Sequence, residues 1–100
     1  MKADRIRHTV VFTLVHPPGS DAERDFLAAA EALEAVPGVE NFEVLAEISP
    51  KNAYRFGISM EFADRAAYDG YNAHPSHVRF VDERWRAEVS DFLEIDYAAR

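Results

Sequence analysis

Phe42-Glu43-Val44-Leu45-Ala46-Glu47-Ile48-Ser49-Pro50-Lys51-Asn52-Ala53-Tyr54-Arg55-Phe56-Gly57-Ile58-Ser59-Met60-Glu61-Phe62 decides the fold of this chain. Phe42, Val44, Ala46 and Ile48 alternate with Glu43, Leu45 and Glu47. Phe56, Ile58, Met60 and Phe62 alternate with Arg55, Gly57, Ser59 and Glu61. A period of two marks a strand with one face buried. Ser49-Pro50-Lys51-Asn52 between the runs has the turn-forming residues of a hairpin connection.

Moving outward from this hairpin, each flank carries a helix. Upstream, Ser20 and Glu23 have the spacing of a capping box. Phe26, Ala29, Ala30, Leu33 and Val36 follow at helical spacing, and Pro37-Gly38 ends the segment. Downstream, Asp64 is the expected N-cap of a short helix carrying Tyr68 and Tyr71. Pro75 breaks it and suits the first turn of a second helix, with Val78, Val81, Trp85 and Val89 as its expected apolar stripe. The outermost segments alternate again: Ile6, His8, Val10, Phe12 and Leu14 at one end, Leu93, Ile95 and Tyr97 at the other. The order is β-α-β-β-α-β, an α+β chain of ferredoxin-like type: one antiparallel four-stranded sheet with helices on one face. No repeat or linker interrupts it, so residues 1–100 are expected to form one domain. The other sheet face, with Thr9, Val11, Thr13, Leu45, Gly57 and Ser59 among Glu43, Glu47 and Glu61, calls for a partner, and a second copy placed sheet to sheet is the simplest.

Composition narrows the function classes. The formal charge of −7 argues against nucleic acid and anionic membrane surfaces. The absence of cysteine removes thiolate catalysis, disulfides and zinc–cysteine sites. The start Met1-Lys2-Ala3-Asp4-Arg5 is charged and the apolar run behind it is short, so a cytoplasmic protein is expected.

The chemistry concentrates in Tyr71-Asn72-Ala73-His74-Pro75-Ser76-His77-Val78-Arg79-Phe80. His77 falls in a helix N-terminal turn, where the helix dipole disfavours imidazolium and leaves a neutral base. His8 shares the helix-facing side of its strand with Val10 and Phe12, and Ile58 and Met60 share that face from the neighbouring run. Together they describe an apolar pocket with one polar group. His74 and His77 have a metal-like spacing, but Pro75 separates them and no third ligand is evident, so neither a metal nor another cofactor is expected. His74 is assigned to the corner as a cap and to the edge of the pocket. His16, beside Pro17 and Pro18, has no assigned role.

Three places resemble the Dabb proteins, the stress-responsive dimeric α/β-barrel domains: Arg7-His8-Thr9-Val10-Val11-Phe12, Val36-Pro37-Gly38-Val39 with Phe42-Glu43, and Tyr71 to Val78 with Leu93-Glu94-Ile95-Asp96-Tyr97 downstream. The resemblance covers roughly residues 5 to 97. It implies a homodimer whose two sheets close a barrel. Some members are cofactor-free polyketide cyclases, and by that likeness His77 is the base, Tyr71 assists it and His8 lines the same pocket. Val10, Phe12, Phe26, Ile58, Met60 and His74 are then expected against an apolar or aromatic ligand. Ala29 stands where cyclase-like members carry a bulky aromatic residue, so the substrate does not follow from the likeness. Three readings stay open: a polyketide-cyclase-like carbon-acid enzyme, a non-catalytic stress-related or ligand-binding homodimer, and a metal- and flavin-free oxygenase.

Overall fold

A computed structural model of the chain describes residues 3–100; the charged Met1-Lys2 lies outside them. Strand β1 (Ile6–Leu14) leads through helix α1 (Asp21–Glu31) and a 3-10 turn (Ala32–Ala35) into β2 (Glu40–Ala46). Strand β3 (Phe56–Phe62) follows, then helices α2 (Arg65–Ala73) and α3 (Pro75–Phe80). A π-helical turn (Val81–Trp85) and a last short turn, α4 (Arg86–Glu88), enter β4 (Val89–Ala98). The sheet order is β2-β3-β1-β4, antiparallel throughout. This is the ferredoxin-like arrangement read from the alternation. No helix among the described residues is long and apolar enough to cross a membrane.

The alternation works as anticipated because one side of the sheet is covered. Ile6, Val10, Phe12 and Leu14 of β1 and Phe56, Ile58, Met60 and Phe62 of β3 are all buried under the helices. Phe26, Ala30 and Leu33 of the α1 segment and Tyr68, Tyr71 and Phe80 of the later helices complete this core. Phe12 is its hub, with ring centroids 5.9 Å from Phe26, 5.8 Å from Phe56 and 5.1 Å from Trp85.

Caps place the helix starts. Ser20 accepts from the Glu23 amide at 3.2 Å, and the Glu23 carboxylate reaches back to the Gly19 amide at 3.0 Å, one residue earlier than in a standard capping box. Asp64 accepts from the Ala67 amide at 2.9 Å. At the Pro37-Gly38 turn, Gly38 has φ of +89°. An added Cβ would lie 3.4 Å from the Ala67 methyl, an ordinary contact, so glycine is needed here for its conformation.

Four expectations change. β2 stops at Ala46 and Ile48 is exposed, because Glu47 turns its carboxylate onto the Ser49 amide and Asn52 and so organises the loop. The second helix does not carry a Val78–Val81–Trp85–Val89 stripe: the π-turn shifts the spacing, Phe80 is the buried residue, Val78 is exposed and Val89 opens β4. His16 acquires a role, with Nε2 2.7 Å from Glu88, which also takes Arg84 and so ties the end of β1 to the last helical turn. The open sheet face is more apolar than anticipated. The register places Tyr97 beside Arg7, Ile95 beside Thr9 and Leu93 beside Val11, and Leu45 joins the last row through Gly57. Leu45, Leu93, Ile95 and Tyr97 are all exposed there.

Candidate active site

Between the sheet and the α2–α4 segment lies a cavity of about 530 Å³. Its size is that of a small-molecule site, and most of its lining is apolar, including Leu33, Phe80, Val81, Trp85, Val89 and Phe92. His8, Tyr71 and His77 all line it, with Val10, Ile58 and Met60. Phe12 and Phe26 are fully buried and pack behind Trp85 rather than in the wall. His74 is not in the wall either. It is the N-cap of α3, held extended by the following proline, and its Nδ1 accepts from the Ser76 amide at 3.1 Å. His74 thus serves the corner as its cap, the other role expected of it.

His77 is positioned by the break at Pro75. Its Nδ1 donates to the Asn72 carbonyl at 3.2 Å, across the corner between α2 and α3. A carbonyl only accepts, so Nδ1 carries the hydrogen and Nε2 keeps its lone pair. Burial holds the ring below the usual imidazole range, and the nearby His8 adds to the effect against the opposing Asn72 bond and Glu94 charge. Burial, rather than the helix dipole expected from the sequence, is the leading cause of this lowering.

Tyr71 stands between the two imidazoles, its ring centroid 4.3 Å from His77 and 6.2 Å from His8. The ring is buried, and burial pushes its hydroxyl pKa well above the usual phenol value. The hydroxyl is thus a neutral donor throughout the physiological range. Among the described residues no side-chain oxygen or nitrogen is sealed away without a partner.

His8 is held from the strand pairing. Its Cα partner on β4 is Asp96, and its Nδ1 lies 2.6 Å from the Asp96 carboxylate. Tyr68 donates to the other carboxylate oxygen at 2.7 Å, and its own oxygen is 3.1 Å from His8 Nδ1. This fixes the Nδ1–H tautomer and leaves Nε2 as the free ring nitrogen, the same orienting logic by which a buried aspartate serves a catalytic histidine. Burial, reinforced by the Asp96 bond, raises the Tyr68 pKa strongly. Tyr68 and Asp96 are site residues that the sequence alone does not mark. The pairing of β1 with β4 brings Asp96 to His8, the packing of α2 on the sheet brings Tyr68, and no local motif signals either.

The wall thus brings two imidazoles and a phenol to one apolar space, each fixed by a different element. Such a set can remove a proton from carbon, donate to the oxygen that gains charge, and return a proton elsewhere. His8, Glu94 and Asp96 also lie close enough to offer three metal-ligand atoms, but Asp96 is already engaged by both His8 and Tyr68.

The Stress responsive A/B Barrel Domain (Dabb) family model matches residues 6–99. A Dabb family protein with a ferredoxin-like fold from Mesorhizobium loti is 57% identical, with 97% of this chain and 98% of that chain covered and a TM-score of 0.95. Hydroxynitrile lyase from Passiflora edulis is 13% identical over 99% of this chain and 96% of its own, with a TM-score of 0.85. SnoaB, a cofactor-independent oxygenase from Streptomyces nogalater, is 20% identical over 98% and 95%, with a TM-score of 0.74. At such identities the last two share the fold alone. No curated protein matches the sequence.

Proposed function

This chain belongs to the Dabb family of stress-responsive A/B barrel domains, and from that premise we propose that it is a cytoplasmic homodimer catalysing cofactor-free carbon-acid chemistry of the polyketide-cyclase kind. The observation that carries the reading is the convergence of His8, Tyr71 and His77 on one apolar cavity. His77 Nε2 takes a proton from the carbon between two carbonyls. The C–H electron pair moves into the enolate, whose oxygen accepts from the Tyr71 hydroxyl. The enolate carbon then attacks a second carbonyl carbon of the same substrate, and a C–C bond forms as that carbonyl's π pair becomes an alkoxide; His8 Nε2 takes up a solvent proton, its charge balanced by Asp96, and passes it to the alkoxide while His77 returns its own to solvent. The apolar walls hold the chain folded and keep water from competing.

Solvent-deuterium exchange at the α-carbon of benzoylacetone tests the first step without a known substrate. Exchange well above that of buffer at equal pH supports the reading; binding without exchange leaves a ligand-binding dimer. Asp96→Asn is expected to retain that exchange, because the first step belongs to His77 and Tyr71, while His8 loses the carboxylate that orients it. Loss of exchange in this variant would place Asp96 and His8 in the first step instead.

The dimer reading is supported by the exposed apolar rows Leu45–Gly57–Val11–Leu93 and Thr9–Ile95 on the open sheet face. Sedimentation is expected to give two chains at micromolar concentration, and Ile95→Glu to give one. A wild-type monomer, or a variant dimer of unchanged strength, would count against sheet-to-sheet pairing.

A further inference from the structure

The wall of the cavity is not uniform in charge. His77 and Arg86 both line it. Nine residues of nearly continuous helical chain separate them, about 13 Å at the helical rise. Phe80, Val81 and Trp85 fill the helix side between these ends. Near His77 the wall also carries Glu94, whose negative charge acts on Tyr68, Tyr71 and His77 together. A ligand carboxylate at that end would face a like charge in partly desolvated surroundings, an unfavourable arrangement. At the other end Arg86 is the only arginine or lysine of the wall among the described residues. Its protein partner is Asp82 at 3.2 Å, and the two side chains are 72% and 58% exposed. A pair so exposed contributes little, so the guanidinium can turn onto a ligand at small cost. The chain as a whole carries −7, which makes a lone cation at the cavity wall a local exception for an approaching anion.

We propose that the cavity selects substrates that are acids as well as carbon acids: aromatic β-dicarbonyl compounds with a carboxylate at the far end, bound with the carboxylate against Arg86 and the reacting carbonyls against His77. The proposal rests on the acid–base reading of the same cavity and adds to it the substrate class and its orientation. Arg86 is a specificity-determining residue in this scheme, outside the proton-transfer steps. Glu94 works as the opposing element, discouraging the reversed orientation.

The test uses a matched pair of probes, 4-acetoacetylbenzoic acid and its primary amide, with affinity by calorimetry and α-carbon deuterium exchange as separate readouts. At low salt the wild type is expected to bind the acid about fivefold more tightly than the amide, the upper end for a largely exposed ion pair. Salt at 1 M, where the Debye length falls to about 3 Å, should remove most of that preference. In Arg86→Gln the acid should fall to the level of the amide, and Arg86→Lys should restore part of the difference. An unchanged acid-to-amide ratio in Arg86→Gln, or no preference in the wild type, overturns the orientation, while exchange in the same samples reports independently on the acid–base reading. A wild-type preference for the acid that is lost in Arg86→Gln, together with no exchange in the wild type, leaves Arg86 as the anchor and sinks the chemistry alone. Failure of both probes to bind overturns both.

Discussion

Replacing His77 with alanine is expected to lower α-proton exchange by about 10²- to 10⁴-fold, the usual contribution of one positioned acid–base group. Binding of an aromatic β-diketone should survive, because most of the wall is apolar and remains in place. The contrast between lost exchange and retained binding separates a base from a packing residue. The wild-type pH profile carries the same information. Burial lowers the His77 pKa, so the free base persists below about 6.5, the value of an unhindered imidazole, and the acid limb of exchange should lie below that pH. The sign for stability follows. The unfolded chain takes up the proton first as pH falls, so this histidine favours the fold above about 6.5 and that contribution is lost as pH drops through the lowered folded pKa. A limb at or above 6.5, or a His77→Ala variant that exchanges like the wild type, would assign the base elsewhere.

The second large effect is on stability. Phe12→Ala should cost about 3–5 kcal/mol, the range for removing a buried phenylalanine. That is a large part of the roughly 5–15 kcal/mol by which a domain is stable. Phe12 is fully buried, and Phe26, Phe56 and Trp85 surround its ring, so the cavity left by the alanine has rigid walls and little means to close. The loss should appear in urea as a lower midpoint at unchanged slope. Trp85 rests on Phe12 and also lines the ligand cavity, so ligand affinity should fall as well. A cost below about 1 kcal/mol would mean that the core repacks around the gap, against its assignment as hub.

The architecture was legible because each signal it needed was local. Alternation in β1 and β3 places every second residue on the covered face, and Ser20, Asp64, Pro75 and Gly38 mark helix ends through hydrogen bonds and backbone angles that involve near neighbours. His8 and His77 could be placed in one space for the same reason: one points inward by strand parity, the other follows a proline break. What escaped depends on register between distant segments. Asp96 meets His8 only because β4 pairs with β1 in one alignment, and a shift of one residue would have put Ile95 or Tyr97 on that face and the carboxylate on the other. The apolar row on the open sheet face escaped for the same reason. The π-turn at Val81–Trp85 escaped differently. It inserts Phe80 and Trp85 into the core five residues apart, a spacing that no regular helical stripe anticipates. His74 resembled a pocket residue through its place in the motif, but a side chain that caps its own helix has its acceptor already engaged.

The four histidines make the most direct test possible within one spectrum. His8 and His77 line the cavity, whereas His16 is engaged by Glu88 and His74 caps α3 outside it. The measurement is the titration of all four imidazole resonances by NMR, with and without benzoylacetone. His77 is expected to take up its proton below the usual imidazole range, and the ligand to move His8 and His77 together while His16 and His74 stay in place. Ordinary titration of His77 together with no ligand response at His8 and His77, or a response shared equally by all four rings, would contradict a common acid–base cavity.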